Sequence, residues 1–174
     1  MAHIHTQPGQ HDLTVSAFII RTDGPEPRAM LHVHKKLGIL LQFGGHVELH
    51  EDPWQAITHE LEEESGYTLG ELQLLQPFEQ ITFEENNSVV HPYPMMLQTH
   101  KFRGLPHMHT DISFAFVANA PPQQKPQEGE ATDLILLTTS ELKARTDPRL
   151  SPDTAKLFLF AIEQCLPTWQ KIIV

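Results

Sequence analysis

The chain has 174 residues, which at roughly 150 per domain predicts one domain spanning 1–174 and leaves no room for a separate substrate domain. Its 12 Lys and Arg against 22 Asp and Glu leave a formal charge of −10 at pH 7. That field repels a phosphate backbone, so no nucleic-acid partner is expected, and a phosphorylated substrate calls for cations to mask its charge. The single cysteine, Cys165, excludes an intramolecular disulfide and a thiolate zinc motif. No N-terminal apolar run is long enough for a bilayer, so the expected setting is cytoplasmic and free of membrane contact.

Residues 1–11, with His3 and His5, read as a flexible polar tail. Leu13 to Arg21 and Ala29 to Lys35 read as strands, joined across the Pro- and Gly-containing TDGPEP segment. A third short strand, Ile39 to Phe43, leads into Gly44-Gly45. Then the period changes: Trp54, Ile57 and Leu61 form a helical stripe, Asp52 and Pro53 supply a cap and a first-turn proline, and Gly66 ends the helix predicted over Pro53 to Ser65. Strands are predicted around Glu71 to Phe78 and Gln80 to Glu84, followed by an ordered loop from Asn86 to Pro94. Further strands are expected at Leu97 to Phe102, Thr110 to Ala118 and Leu134 to Leu137, with a polar loop over Pro121 to Glu130. A short helix from Ser140 to Arg145, capped by Ser140, and a long one from Asp153 to Trp169 complete an α/β or α+β layered domain.

The informative segment is Gly44 to Tyr67. Glu60, Glu63 and Glu64 fall at i, i+3 and i+4, on one face of the helix and towards its C-terminal half, where the macrodipole disfavours negative charge. Taken alone, such a triplet is a solvated acidic face. As a functional group it is a set of hard oxygen ligands for Mg²⁺ or Mn²⁺, ions that phosphates bridge and that clamp an in-line attack on phosphorus.

The surrounding residues favour the second reading, because the segment resembles the signature of the Nudix (MutT-like) hydrolases. Gly45 is followed by Glu51, then by His59-Glu60-Leu61, Glu63-Glu64, Gly66 and Tyr67, with every spacing of that signature met. The resemblance implies an α/β/α sandwich with a central mixed sheet. It also implies Mg²⁺-dependent (or Mn²⁺-dependent) hydrolysis of a small-molecule nucleoside diphosphate linked to another group, and leaves a homodimer open. By position, Glu60 and Glu64 would be principal metal ligands, Glu63 a ligand or the water-activating base, and the Gly44 carbonyl a further ligand. Glu51 would orient the helix and the basic position, Glu48 would be an additional acidic residue near the metals, and Glu130, with Glu128 as second choice, would be a late-loop carboxylate.

Three positions depart from the pattern: His59 stands for arginine, Tyr67 for an aliphatic residue, and His50 for a common glycine. His59 matters most, since arginine is always charged and forked whereas histidine is charged only when protonated. A Nudix-fold binding or regulatory module is therefore the alternative to an enzyme, and a His-rich metal-binding protein is a third reading. A second polar cluster, His100, His107, His109 and Asp111, reads either as a solvated strand face or as a substrate-facing wall or extra metal site. His109 and Asp111 are the candidates there for substrate contact. Trp169, Phe158 and Phe160 at helical spacing are expected to pack in a core or interface, with Cys165 buried beside them.

Overall fold

Along the chain the computed structural model places β1 (His11–Arg21), β2 (Arg28–His34), β3 (Leu40–Leu41), β4 (Phe43–His46), α1 (Pro53–Glu60), β5 (Leu72–Gln76), β6 (Met96–Lys101), β7 (Met108–Ala118), β8 (Ala131–Thr138), α2 (Thr139–Ala144), α3 (Pro152–Phe160) and β9 (Gln170–Ile173). It describes residues 6–81, 83, 88–101, 107–127 and 131–174, residues 131 and 132 by backbone alone. The strands join one mixed sheet in the order β3-β2-β1-β7-β5-β9, with β4 added to β1, β6 to β7 and β8 to β2. Its centre is the parallel pair β1 and β7, in register over their full length from His11 opposite Met108 to Arg21 opposite Ala118. The remaining pairs are antiparallel, and β4 and β2 share one edge of β1, at Thr14 to Ala17 and at Ile19 to Arg21.

Alternation along β1 sends Val15, Ala17 and Ile19 to one face of the sheet and Phe18 and Ile20 to the other. The first face is covered by α1, whose Ala56 and Ile57 pack with Phe43, Phe114 and Phe116. The second is covered by α2 and α3, whose Leu142, Ala155 and Phe158 pack with Leu31, Ala115 and Val117. This is the expected α/β/α layering. Each large apolar side chain taken fully out of water contributes about 1.5–3 kcal/mol, so helices on both faces are what hold a sheet whose central strands are apolar on both sides. Among the described residues no helix is long and apolar enough to cross a membrane.

Local chemistry sets the ends of α1. The Asp52 side chain accepts from the Trp54 and Gln55 amides at 2.9 Å, and Gln55 reaches back to the Asp52 amide. Beyond Glu60 the helix widens into a π turn, Leu61–Ser65, and Gly66 closes it at φ +77°; a Cβ there would lie 2.4 Å from the Gln124 carbonyl oxygen.

Several expectations are corrected. The tail expected over residues 1–11 gives way to β1 at His11, and just before it the Gln10 carbonyl accepts the Met108 amide at 2.9 Å; residues 1–5 lie outside the described set. The strand expected over Ile39 to Phe43 divides into β3 and β4, and the one over Glu71 to Phe78 contracts to β5 after a 3₁₀ turn at Leu69–Glu71. Gln80 and Ile81 belong to no strand, while 82, 84 and Phe102 lie outside the described residues. The short helix is capped by Thr138, whose hydroxyl accepts from the Glu141 amide at 3.3 Å, and not by Ser140. The long C-terminal helix is capped by Ser151, passes through a π turn at Ala161–Cys165 and ends at Thr168. There the chain turns into β9, which pairs with β5 and was not foreseen. Phe158 and Cys165 are fully buried, with burial pushing the thiol up to about 11, while Phe160 is partly exposed.

Candidate active site

The glycine pair on β4 and the acidic half of α1 are brought face to face by the packing of Ile57 and Leu61 on the sheet. Glu64, 5% exposed, accepts the Gly44 amide at 2.8 Å. Glu60 lies over Gly45 so closely that a Cβ there would stand 1.9 Å from its Oε1. Gly44 itself has φ +141°, and a Cβ would meet the Val15 carbonyl oxygen at 2.1 Å. Each glycine thus has its own reason: Gly44 lets β4 run close against β1, and Gly45 makes room for a carboxylate.

The triplet does not converge as a unit. Glu60 and Glu64 turn towards the glycine pair, whereas Glu63 turns outward and bonds the His59 ring at 2.8 Å. On its other side His59 Nδ1 lies 3.5 Å from Glu51 Oε1. Burial opposes protonation of His59, but the Glu63 hydrogen bond and the charges of Glu63, Glu60 and Glu51 outweigh it and raise its pKa above the ordinary 6.5. The histidine thereby spans the two glutamates that an arginine would fork between. Glu51 also accepts the Glu48 amide at 3.4 Å, and its own amide bonds the Glu48 carbonyl at 3.0 Å, closing the turn that leads into α1. This tight turn carries the exposed His50 without a positive φ. Tyr67 is buried and its hydroxyl donates to the Ala120 carbonyl, anchoring the following loop.

Two features were not singled out from the sequence. His32, 1% exposed, lies with Nε2 3.8 Å from Glu64 Oε2, and burial, then the neighbouring His34, lowers its pKa to about 4. A neutral imidazole therefore backs the Glu64 carboxylate. Its parity with Met30, which faces α1, was the available signal. The second feature is an apolar cavity of about 250 Å³ beside the start of α1, lined by Pro53, His91, Tyr93, Leu97, Ile112 and Phe114 among others. Gln76 holds its rim, accepting from the Tyr93 amide at 2.8 Å and donating to the Tyr93 carbonyl at 2.9 Å.

The substrate-side candidates are placed differently. His109 and Asp111 are 9% and 4% exposed, so of the two readings of this strand face the solvated one does not hold for them. The reason is register: Asp12, Thr14 and Ser16 of β1 stand beside them on the face that does not carry α1. Asp111 accepts hydroxyl bonds from Thr14 and Ser16 at 2.9 Å and from Ser113 at 2.6 Å. Glu128 and Glu130 lie outside the described residues. The loop that leads to them crosses the end of the π turn, where the Gln127 amide bonds the Glu63 carbonyl at 2.8 Å.

The donor set at the glycine pair is all oxygen: the carboxylates of Glu60 and Glu64, with Glu63 and Glu48 nearby in the chain. Oxygen donors suit a hard divalent cation rather than a soft one, and the missing side chain of Gly45 is what lets the Glu60 carboxylate join the set.

Comparison with known proteins agrees with this geometry. The NUDIX domain family pattern matches residues 10–159. A NUDIX-family hydrolase from Clostridium perfringens superposes with a TM-score of 0.72 at 23% identity, over 87% of this chain and 96% of that one. The C. elegans Ap4A hydrolase in a binary complex gives 0.61 at 16% identity, over 86% and 95%. The NUDIX domain of Shewanella oneidensis NrtR, complexed with ADP ribose, gives 0.59 at 16% identity, over 92% and 94%. No curated protein matches the chain. With the box spacing met, the carboxylates seated on the glycine pair and the family pattern covering most of its length, this chain belongs to the Nudix hydrolase family.

Proposed function

We propose that the protein hydrolyses a small-molecule nucleoside diphosphate linked to another group, in a reaction dependent on Mg²⁺ or Mn²⁺, with water attacking phosphorus and a diphosphate P–O bond breaking. The observation that carries this reading is the seating of Glu60 and Glu64 on Gly44-Gly45, since only a glycine at 45 admits the Glu60 carboxylate. Glu60, Glu64 and the Gly44 carbonyl would hold the cation, which when bound neutralises diphosphate charge and acidifies a water molecule. Glu63 would accept the proton of the attacking water, held in place by His59, which Glu51 in turn orients. Glu48 adds negative charge at the turn beside these groups.

The Tyr93 cavity supports a substrate with one ring moiety in this cleft. Its volume of about 250 Å³ lies below the roughly 300–1,000 Å³ of pockets that enclose a whole drug-sized ligand. One turn of α1 rises about 5.4 Å, so Pro53 and Glu60 stand roughly 10 Å apart along the axis, a span for a diphosphate together with the sugar that joins it to the ring. The net charge of −10 disfavours a nucleic-acid substrate.

The test is turnover of NTPs, ADP-ribose, NADH, dinucleoside polyphosphates and CoA, with and without Mg²⁺. Metal-dependent release of a phosphomonoester, abolished in Glu64→Gln, is the expected result. The second reading, a nucleotide-binding or regulatory module, is favoured by one observation, His59 in place of arginine. It predicts ligand binding without turnover and activity gained in His59→Arg.

A further inference from the structure

Behind the sheet, on the side away from α1, four side chains from three strands meet at one point. Asp12 comes from β1, His46 from β4, His109 from β7 and His107 from the residue just before it. One ligand-capable atom from each lies within 4.8 Å of all the others. His107 Nε2 and His109 Nε2 are 3.2 Å apart, and Asp12 Oδ2 lies 3.5 Å from His107 Nε2 and 3.6 Å from His46 Nε2. We propose that Asp12, His46, His107 and His109 form a structural zinc site, separate from the carboxylate site on α1.

Three arguments carry it. The first is geometry: with Zn–N and Zn–O bonds of about 2.0–2.2 Å, ligand atoms at the corners of a tetrahedron stand roughly 3.3–3.5 Å apart. The spacings of 3.2, 3.5 and 3.6 Å are close to that edge, all four atoms lie within 4.8 Å of one another, and the two spacings from Asp12 Oδ2 exceed a good hydrogen bond. The second is an unmet acceptor. Asp12 is 3% exposed, yet among the described residues its Oδ2 takes no hydrogen bond, and it points into the cluster. A buried carboxylate oxygen left so costs several kcal/mol unless a cation faces it. The third is donor chemistry. Three imidazoles and one carboxylate suit zinc, whereas Mg²⁺ takes oxygen ligands and keeps its waters. With four protein ligands the shell is closed, which marks a structural rather than a catalytic ion.

The strand pleat keeps the two sites apart. Gly45 stands opposite Val15, which faces α1, and His46 stands opposite Thr14, which faces the other way. The ion would therefore pin β4 to β1 and β7 directly behind the glycine pair that seats Glu60 and Glu64. Asp111, satisfied by three hydroxyls, forms the next polar layer and is not a ligand.

The experiment loads the full chain with Zn²⁺, dialyses it against a weak chelator to strip exposed histidines, and measures retained metal by mass spectrometry. About one zinc per chain is expected, falling at least tenfold in Asp12→Asn and in His109→Gln and unchanged in Glu64→Gln. Because the cluster variants could lose their fold, the unsubstituted chain is also loaded with Co²⁺, where a tetrahedral site gives the intense visible absorption that octahedral Co²⁺ lacks. No retained zinc, zinc lost in Glu64→Gln but kept in folded His109→Gln, or an octahedral cobalt spectrum each overturns the proposal. Zinc retention in Glu64→Gln with turnover abolished would show the two sites to be separate.

Discussion

A Cβ on Gly45 would lie 1.9 Å from Glu60 Oε1, the far end of a flexible side chain, whereas a Cβ on Gly44 would lie 2.1 Å from the backbone oxygen of Val15. Neighbouring glycines therefore predict opposite outcomes. Gly45→Ala should push the Glu60 carboxylate aside, leaving the melting temperature within a few degrees and lowering kcat by about two orders of magnitude, the scale of a lost charge-stabilising group. Gly44→Ala, forced into φ +141° against backbone, should lose at least about 1–3 kcal/mol of stability. Thermal melts beside steady-state kinetics separate the two; equal stability losses would refute the seating of Glu60 on Gly45.

Glu60→Gln, Glu63→Gln and Glu64→Gln should each lower turnover by about two or more orders of magnitude. Without metal, the thermal stability of Glu60→Gln should hold or rise, because a carboxylate is removed from beside Glu64, whereas Glu63→Gln loses the charge that faces His59 and should fall by under about 1 kcal/mol. In Glu64→Gln the side-chain carbonyl that remains could still accept the Gly44 amide. Near-normal activity of all three with Mg²⁺ would place the chemistry elsewhere.

His59 sets a pH dependence. Its pKa is raised, so its charged form is fully present below the ordinary 6.5 and is lost as pH climbs through the higher folded-state value. A component of kcat/KM that relies on this charge must fade over that alkaline window, while in His59→Arg it persists. At saturating Mg²⁺ the two profiles should diverge above pH 6.5. Parallel profiles would make His59 a neutral spacer. With its side chain 50% exposed, the effect on stability should stay under about 1 kcal/mol.

His32 acts in the acid direction. Held neutral to about 4 in the fold but titrating near 6.5 when unfolded, it leaves the unfolded chain binding the extra proton between those values. Stability should therefore fall as pH drops from 6.5 towards 4, by roughly 3 kcal/mol at the full shift. Denaturant unfolding of wild type and His32→Phe across that range checks this; an unchanged slope in the variant would show that another group governs it.

Gln76→Met should leave the Tyr93 amide and carbonyl unpaired, costing about 1–3 kcal/mol. If the Tyr93 cavity binds the ring of the substrate, KM should rise in Gln76→Met and in Tyr93→Ala more than kcat falls. A fall in kcat at constant KM would remove the cavity from recognition.

The local part of this protein was legible in the sequence: the stripe Trp54, Ile57 and Leu61, the cap at Asp52 and Pro53 and the stop at Gly66 depend on neighbours within a turn or two. The i, i+3 and i+4 spacing of Glu60, Glu63 and Glu64 was likewise legible; which of them meet the glycine pair was not. What the sequence could not disclose depended on partners distant along the chain. Alternation in Thr110 to Ala118 was visible, but only the parallel register with β1 makes both faces buried and sets Asp12 beside His109. The outward turn of Glu63, the approach of His32 to Glu64 and the return of the last residues as β9 are likewise products of packing between elements. Periodicity tells a side chain which face to take; what waits on that face is decided when the strands pair.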